Sequence, residues 1–559
     1  MVDEGNSPPL TGHPTGRSRP LLTLIAIIGV MTCLATGCGA AKSTATSAPT
    51  DSAAADGGTP VDGGDMVIGI ANETKSWNPA LATWADSGAM VGSSVLEPLA
   101  TQGEDKGAKP FLADSWIAND TFTEWTIKLH PGVRYSDGED FNAASVKKSL
   151  DFTVTGPLAS LVAKGLLDQI DVVDNLTVKA KFLQPWASFP ASFMQGPYSY
   201  QMAPAMIDAA DHGASHPIGT GPFVFTSWTP DSSFKASKNP NYWRPGLPHL
   251  DSIEFRVIPD ETARSDALKT GDVNMITTTT AATANGLANS YSVTKDWTSE
   301  TAFVQTNTAA TVGGKPNPLS DLHARLALAY ATDPAVVAAL IGDGVEIPTS
   351  MWSPPSPWAQ PKDQNGWLSP DVDRAKQEVA TYLQDTGASS LDITLSGTPG
   401  IDTAKVLQLL ASQWGGAGIN VTIDSLDQAS TVTKVALGNY EAVLFRNYGA
   451  ADPDGSWAFF SSTTNNDVGK LSVNFTHYST PAMDKDLSIG RSSGYPDIRR
   501  DAYGDLVKQV NAAATHIWLY NTPYSYVADP TVHGLSTAAA LGFGNYMPKT
   551  WESELWRTH

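Results

Sequence analysis

Residues 391–423 read LDITLSGTPGIDTAKVLQLLASQWGGAGINVTI. Leu391 to Leu395 alternates apolar and polar residues, as a strand does. Thr403 to Trp414 has helical composition and runs into Gly415-Gly416, a stop signal. Ile419 to Ile423 alternates again. Strand, helix, strand in this order form a βαβ unit, which joins parallel strands and predicts an α/β fold.

Working outward, the same alternation of elements continues. Leu322 to Ala331 and Pro334 to Ile341 form a helix pair. Ser252 to Ile258 is strand-like, and Glu261 to Lys269 is a helix ending at Gly271. Met66 to Ile70 is a short apolar run that suits a buried strand. Glu124 to Leu129 and Leu176 to Phe182 alternate like half-buried strands. Asn142 to Phe152 sets Ala143, Val146 and Leu150 on one helical face, with Asp140 as candidate cap. The pattern predicts two α/β lobes, each with a parallel sheet, plus a β-rich piece in the first half. There is no internal repeat.

The N-terminus reads as an export signal. Arg17 and Arg19 precede a mostly apolar run, Leu21 to Leu34, of 14 residues. A bilayer core needs about 20, so the run is too short to span it. Ala35-Thr36-Gly37-Cys38 follows. This order of charge, apolar run and small residues before a cysteine resembles the lipobox of bacterial lipoproteins, which implies cleavage before a diacylated Cys38. The usual leucine three positions before the cysteine stands one earlier, as Leu34. Residues 1–37 are the expected signal, and 38–65 an expected tether of small and polar residues that cannot offset its own ordering entropy. Of two cysteines, Cys33 and Cys38, only Cys38 survives cleavage, so no disulfide within the mature chain is expected.

The remaining 66–559 is long enough for more than one core. Net charge is −21, and residues 1–37 carry two basic and two acidic residues, so the mature part keeps −21. That balance argues against nucleic acid and against general adhesion to anionic lipid. No His-Glu-x-x-His or dinucleotide fingerprint is present, so no enzyme class is indicated and no cofactor is expected. His212 and His216, in HGASH, stand four apart, but Gly213 and Pro217 predict a loop, and no metal site is expected there.

Four stretches carry a resemblance. Phe111 to Leu150 reads FLADSWIANDTFTEWTIKLHPGVRYSDGEDFNAASVKKSL. Pro217-Ile218-Gly219-Thr220-Gly221-Pro222-Phe223 is followed by Lys238-Asn239-Pro240-Asn241-Tyr242-Trp243. Leu250 to Asp272 contains Ile258-Pro259-Asp260 and Gly271-Asp272. Asp321 to Ala331, DLHARLALAYA, precedes Asp333. Pro131-Gly132 and Asp137-Gly138 have a local reason as turns. The Gly-Thr-Gly element is not a phosphate loop, since no Lys-Ser/Thr follows and Pro222 intervenes. In this order the stretches resemble the extracellular solute-binding proteins of family 5, the oligopeptide and dipeptide receptors of ABC importers. His323 departs from the arginine that family prefers.

The resemblance implies a two-lobe periplasmic-binding-protein-like fold with a hinge and an extra subdomain in the first lobe. On it, 66–95, 215–310 and 515–559 are expected as lobe I, 96–214 as the extra subdomain and 311–514 as lobe II. It implies a monomer that docks on an ABC permease driven by separate ATPase subunits, with contact to the membrane through the lipid anchor only. It also implies that an aspartate before a D/E-P element pairs with a peptide's amine. That position falls on Gly449 here, so Asp452 or Asp454 could substitute, while Asp452 before Pro453 also suits a turn former. Arg446, Asn447 and Tyr448 are candidates to face the cleft, Arg446 suiting a ligand carboxylate or phosphate. Trp77 and Asn78, after the first strand, and Trp457, after the Asp452 loop, complete the expected ligand-binding set; aromatic walls suit peptide side chains, sugar rings and ordinary cores alike. The alternative cargo is an oligosaccharide, metal complex or haem.

Overall fold

The computed structural model describes residues 58–81, 84, 86–103, 107–156, 166–195, 199–296, 300–352, 354, 356–398, 401–448, 452–535 and 551–558. The expected signal, Cys38 and most of the tether lie outside the described residues.

Lobe I is built on a seven-stranded sheet in the order Ser292–Asp296, Tyr524–Ala528, Met275–Thr278, Asp65–Ile70, Ser252–Val257, Ser233–Lys238, Phe223–Thr229. The first strand pairs in parallel with both of its neighbours, and the other pairs are antiparallel. The helix Glu261–Thr270 links two of the parallel strands. Asp260 caps it by accepting from the Ala263 amide at 2.8 Å. Gly271, at φ 81°, turns the chain off its end, a conformation that costs glycine little.

Lobe II carries a five-stranded sheet in the order Ile419–Ser425, Leu391–Gly397, Ala442–Tyr448, Glu300–Thr306, His516–Asn521. The first three are parallel, and the helix Ile401–Gly416 makes the crossover expected from residues 391–423. Its Trp414 is buried and donates to Thr332 Oγ1 at 2.9 Å, tying it to the helix pair Leu322–Ala331 and Pro334–Ile341. Asp321 and Asp333 cap that pair. The buried Arg325 donates to the carbonyls of Leu319, Ser320 and Ala513, so its charge serves backbone acceptors. No single helix among the described residues is long and apolar enough to cross a membrane.

The β-rich piece is a four-stranded antiparallel sheet, Ala113–Ala118, Glu124–Leu129, Thr177–Phe182, Leu167–Asp174, backed by the helix Ala143–Thr153. The cap of that helix is Asn142, not Asp140. Asn142 Oδ1 accepts from the amides of Ala144 and Ser145, and Ser145 Oγ accepts from the Asn142 amide, a reciprocal capping box. Asp140 pairs with Arg134 at the surface instead.

The motif residues turn out to hold this piece to lobe I. The buried Glu97 carboxylate accepts from Thr220 Oγ1 at 2.8 Å, Tyr242 Oη at 2.6 Å and Trp243 Nε1 at 2.8 Å. A Cβ at Gly219 would lie 2.1 Å from the Val95 carbonyl oxygen, so only glycine lets the two segments approach.

Two expectations need correction. Both sheets are mixed rather than parallel, because tight hairpins and the strands that pass between lobes bring in antiparallel neighbours. The lobe boundaries also move. Glu300–Thr306 and His516–Asn521 pair inside the second sheet, so the chain crosses between Asp296 and Glu300 and returns between Asn521 and Tyr524, not at 310 and 515.

Candidate functional site

The crossings sit at one particular end of each sheet. In lobe II, Glu300 pairs with Tyr448, the last residue of its strand. In lobe I, Ser525 pairs with Thr278, also the last of its strand, and Tyr524 pairs with Asp296. The carboxyl ends of the parallel strands in both lobes therefore lie beside the same pair of crossing segments. Open α/β sheets bind ligands outside those ends, so the cleft between the lobes is the candidate site.

A second contact joins the lobes across this cleft. The loop after Ala442–Tyr448 contains the short 3-10 turn Pro453–Ser456, capped by Asp452, whose Oδ1 accepts from the Asp454 amide at 2.9 Å. Both carboxylates are buried and each is matched by an arginine. Arg499 Nη2 reaches both oxygens of Asp452, at 2.5 and 2.6 Å, and Arg491 Nε reaches Asp454 Oδ1 at 2.6 Å. The other oxygen of Asp454 accepts from Trp186 Nε1 at 2.8 Å and Ser188 Oγ at 2.6 Å, two residues of the β-rich piece. The Ala187 amide donates to the Arg491 carbonyl at 2.9 Å. The Arg491 guanidinium lies 4.4 Å above the Trp457 ring, and that of Arg499 lies 4.8 Å above Trp358.

Burial pushes Asp452 up to about 6 against the pull of Arg499, which leaves it ionised at neutral pH. Burial raises Asp454 too, but the charge of Arg491 and the hydrogen bonds from Ser188 and Arg491 outweigh it and hold that carboxyl below its usual range. The result is a neutralised pair of ion pairs, one of which is shared between lobes.

Sequence comparison matches residues 107–469 to the model described as bacterial extracellular solute-binding proteins, family 5 Middle. The chain belongs to this family of solute-binding proteins. Among curated relatives, the glutathione-binding protein GsiB of Salmonella typhi is 27% identical over 452 residues, covering 78% of this chain and 85% of the relative. Among solved structures, DppA from Helicobacter pylori in complex with the peptide STSA superposes with a TM-score of 0.76 at 20% identity, covering 89% of this chain and 99% of that one. NikA from Brucella suis in complex with Fe(III)-EDTA superposes with a TM-score of 0.73 at 21% identity, covering 89% and 100%. These structures share the two-lobe fold.

Within this family 5 protein the expected site residues scatter over several environments. Arg446 stands at the cleft end of its strand with its side chain 49% exposed, and Nη1 lies 3.3 Å from Glu300 at the crossing. Asn447 is buried on the opposite face of the strand. The Tyr448 backbone pairs with Glu300, while its side chain and Gly449 lie outside the described residues. Trp457 is half-buried under Arg491. Trp77 is 0% exposed and packs among Trp84, Trp228 and Phe234, with ring centroids at 6.4, 5.6 and 4.6 Å. Asn78 donates to the His212 carbonyl and accepts from the Ala80 amide, so both its amide atoms serve the loop.

The idea that Asp452 or Asp454 replaces the acid missing at Gly449 is corrected by their partners. A carboxylate already held by a buried arginine is not on offer to a ligand's ammonium, and Asp452 acts as the turn former its place before Pro453 suggests. His212 and His216 sit in a loop, with Nδ1 of His212 2.6 Å from the Ile207 carbonyl and His216 packed edge-on against Phe225. Sequence reading missed Arg491, Arg499, Trp186 and Ser188. An arginine inside an amphipathic helix carries no local sign of a partner 37 or 47 residues away, nor does a tryptophan after a proline of one 268 residues away.

Proposed function

We propose that this protein captures a short peptide outside the cytoplasmic membrane and hands it to the permease of an ABC importer, powered by separate ATPase subunits. The observation that carries the reading is the pair of crossing segments at the carboxyl ends of both sheets, which lets two lobes hinge over one cleft. Closure around solute gives the permease a way to tell loaded from empty receptor by differential affinity. The peptide assignment is supported by the curated relatives named for glutathione, itself a tripeptide. Arg446, half-exposed at the cleft end of its strand, suits a peptide carboxylate. The receptor works as a monomer, since both walls come from one chain, and is held to the membrane by a diacylated Cys38.

A thermal-shift panel of di- and tripeptides, oligosaccharides and metal–histidine complexes tests the cargo. Peptides are expected to raise the melting temperature; a shift with a sugar or metal complex alone would replace peptide by that class. Cys38→Ser is expected to release the protein from the membrane fraction into the soluble one, and unchanged membrane retention would remove the anchor.

A further inference from the structure

Residues Pro190–Met194 form a single π-helical turn, all five residues buried, packed against the Pro453–Ser456 turn of the other lobe. Such turns are rare and concentrate at functional sites. Gln195 ends this one. Its backbone amide is satisfied by the Phe193 carbonyl, but its side chain is 0% exposed and neither Oε1 nor Nε2 has a hydrogen-bond partner. Asn307 and Asn511, also buried, use both side-chain atoms, and Gln201 uses its Nε2, toward the Ser199 carbonyl, but not its Oε1. Asn307 donates to the carbonyls of Gly438 and Tyr440 and accepts from the Ala309 amide; Asn511 donates to the carbonyls of Thr349 and Asn365 and accepts from Trp518 Nε1.

A buried amide with no partner is unfavourable, and an apolar residue of the same size would suit the ligand-free protein better. The cost disappears when something brings both a donor and an acceptor to it. A carboxamide presents N–H and C=O side by side, the complement of a peptide group. Gln195 stands where lobe I meets the loop at the carboxyl end of the lobe II sheet, three residues after Ser192 Oγ, which accepts from the Trp186 indole that also reaches Asp454.

We propose that Gln195 is a specificity-determining residue that reads an amide group of the bound ligand through both of its side-chain atoms. This rests on the peptide-receptor reading and deepens it, because it selects ligands with a peptide bond or carboxamide over ligands that offer acceptors alone.

Isothermal titration with trialanine and with glutathione, each beside an analogue in which one amide N–H is replaced by an ester oxygen, provides the test. Wild type is expected to prefer amide to ester at least tenfold for one of the replaced bonds. Gln195→Leu is expected to keep or raise the ligand-free melting temperature, to bind the amide probe at least tenfold more weakly, and to lose the amide-over-ester preference. Gln195→Met serves the same purpose should the leucine variant fail to fold. If wild type binds and either variant binds equally well with its preference intact, this inference falls and the peptide-receptor reading stands. If wild type binds neither probe, while a sugar or metal complex saturates it, both fall together.

Discussion

Asp452 illustrates how far a residue can be read before its partners are known. Its place before Pro453 allowed a turn role and a ligand role, and its turn geometry is local enough to be legible. Its ion pair with Arg499 is not, because 47 residues of chain separate the two. Removing one partner of a buried pair leaves the other charge uncompensated. Asp452→Ala is therefore expected to cost about 3–5 kcal/mol in urea unfolding. It should weaken a peptide and its N-acetylated form alike; a selective loss of the free-amine form would restore the amine role.

His516 allows a second prediction at this scale. It is buried, stacked on Trp518 at 5.2 Å and packed against Phe303, and burial pushes its pKa down to about 3. The unfolded chain binds a proton near pH 6.5 and the folded one does not, so stability is full above that value and falls as pH drops toward 3. Its contribution to the loss is of the order of 4 kcal/mol by pH 3. His516→Phe is expected to flatten part of the acid limb of a stability–pH curve; an unchanged limb would show that other groups set it.

At the scale of elements the sequence was most informative. Periodicity reports a strand or helix wherever one face is buried, and residues 391–423 were divided correctly for that reason. The cap at Asn142 was misread as Asp140 because both are good capping residues two positions apart and only geometry chooses between them. Asn142→Ala is expected to cost about 1 kcal/mol. Asp140→Ala should cost much less, as its pair with Arg134 is exposed, and equal costs would contradict the capping box. Sheet membership was illegible. Glu300–Thr306 and His516–Asn521 are buried along their whole length, so no alternation says which lobe they face. The motif around Gly219 was legible as words without its meaning. Its close approach to Val95 predicts that Gly219→Ala misfolds or loses several kcal/mol, read by soluble yield and melting temperature.

For the whole molecule, the Trp186 and Ser188 contacts with Asp454 hold the two lobes together, by groups that each carry a buried polar obligation. The double variant Trp186→Phe, Ser188→Ala is expected to populate a more open form. Its radius of gyration in small-angle scattering should exceed that of wild type without ligand and return toward it with saturating peptide. No difference between the two ligand-free proteins would mean that the contact does not govern closure.

The central claim is that the cleft takes a peptide. Native mass spectrometry of the purified receptor, followed by release of its bound solute in denaturant and sequencing of what is released, tests this most directly. The account predicts a single bound molecule per chain that fragments as a short peptide. Release of a sugar, or of a metal complex with no peptide bond, would contradict it.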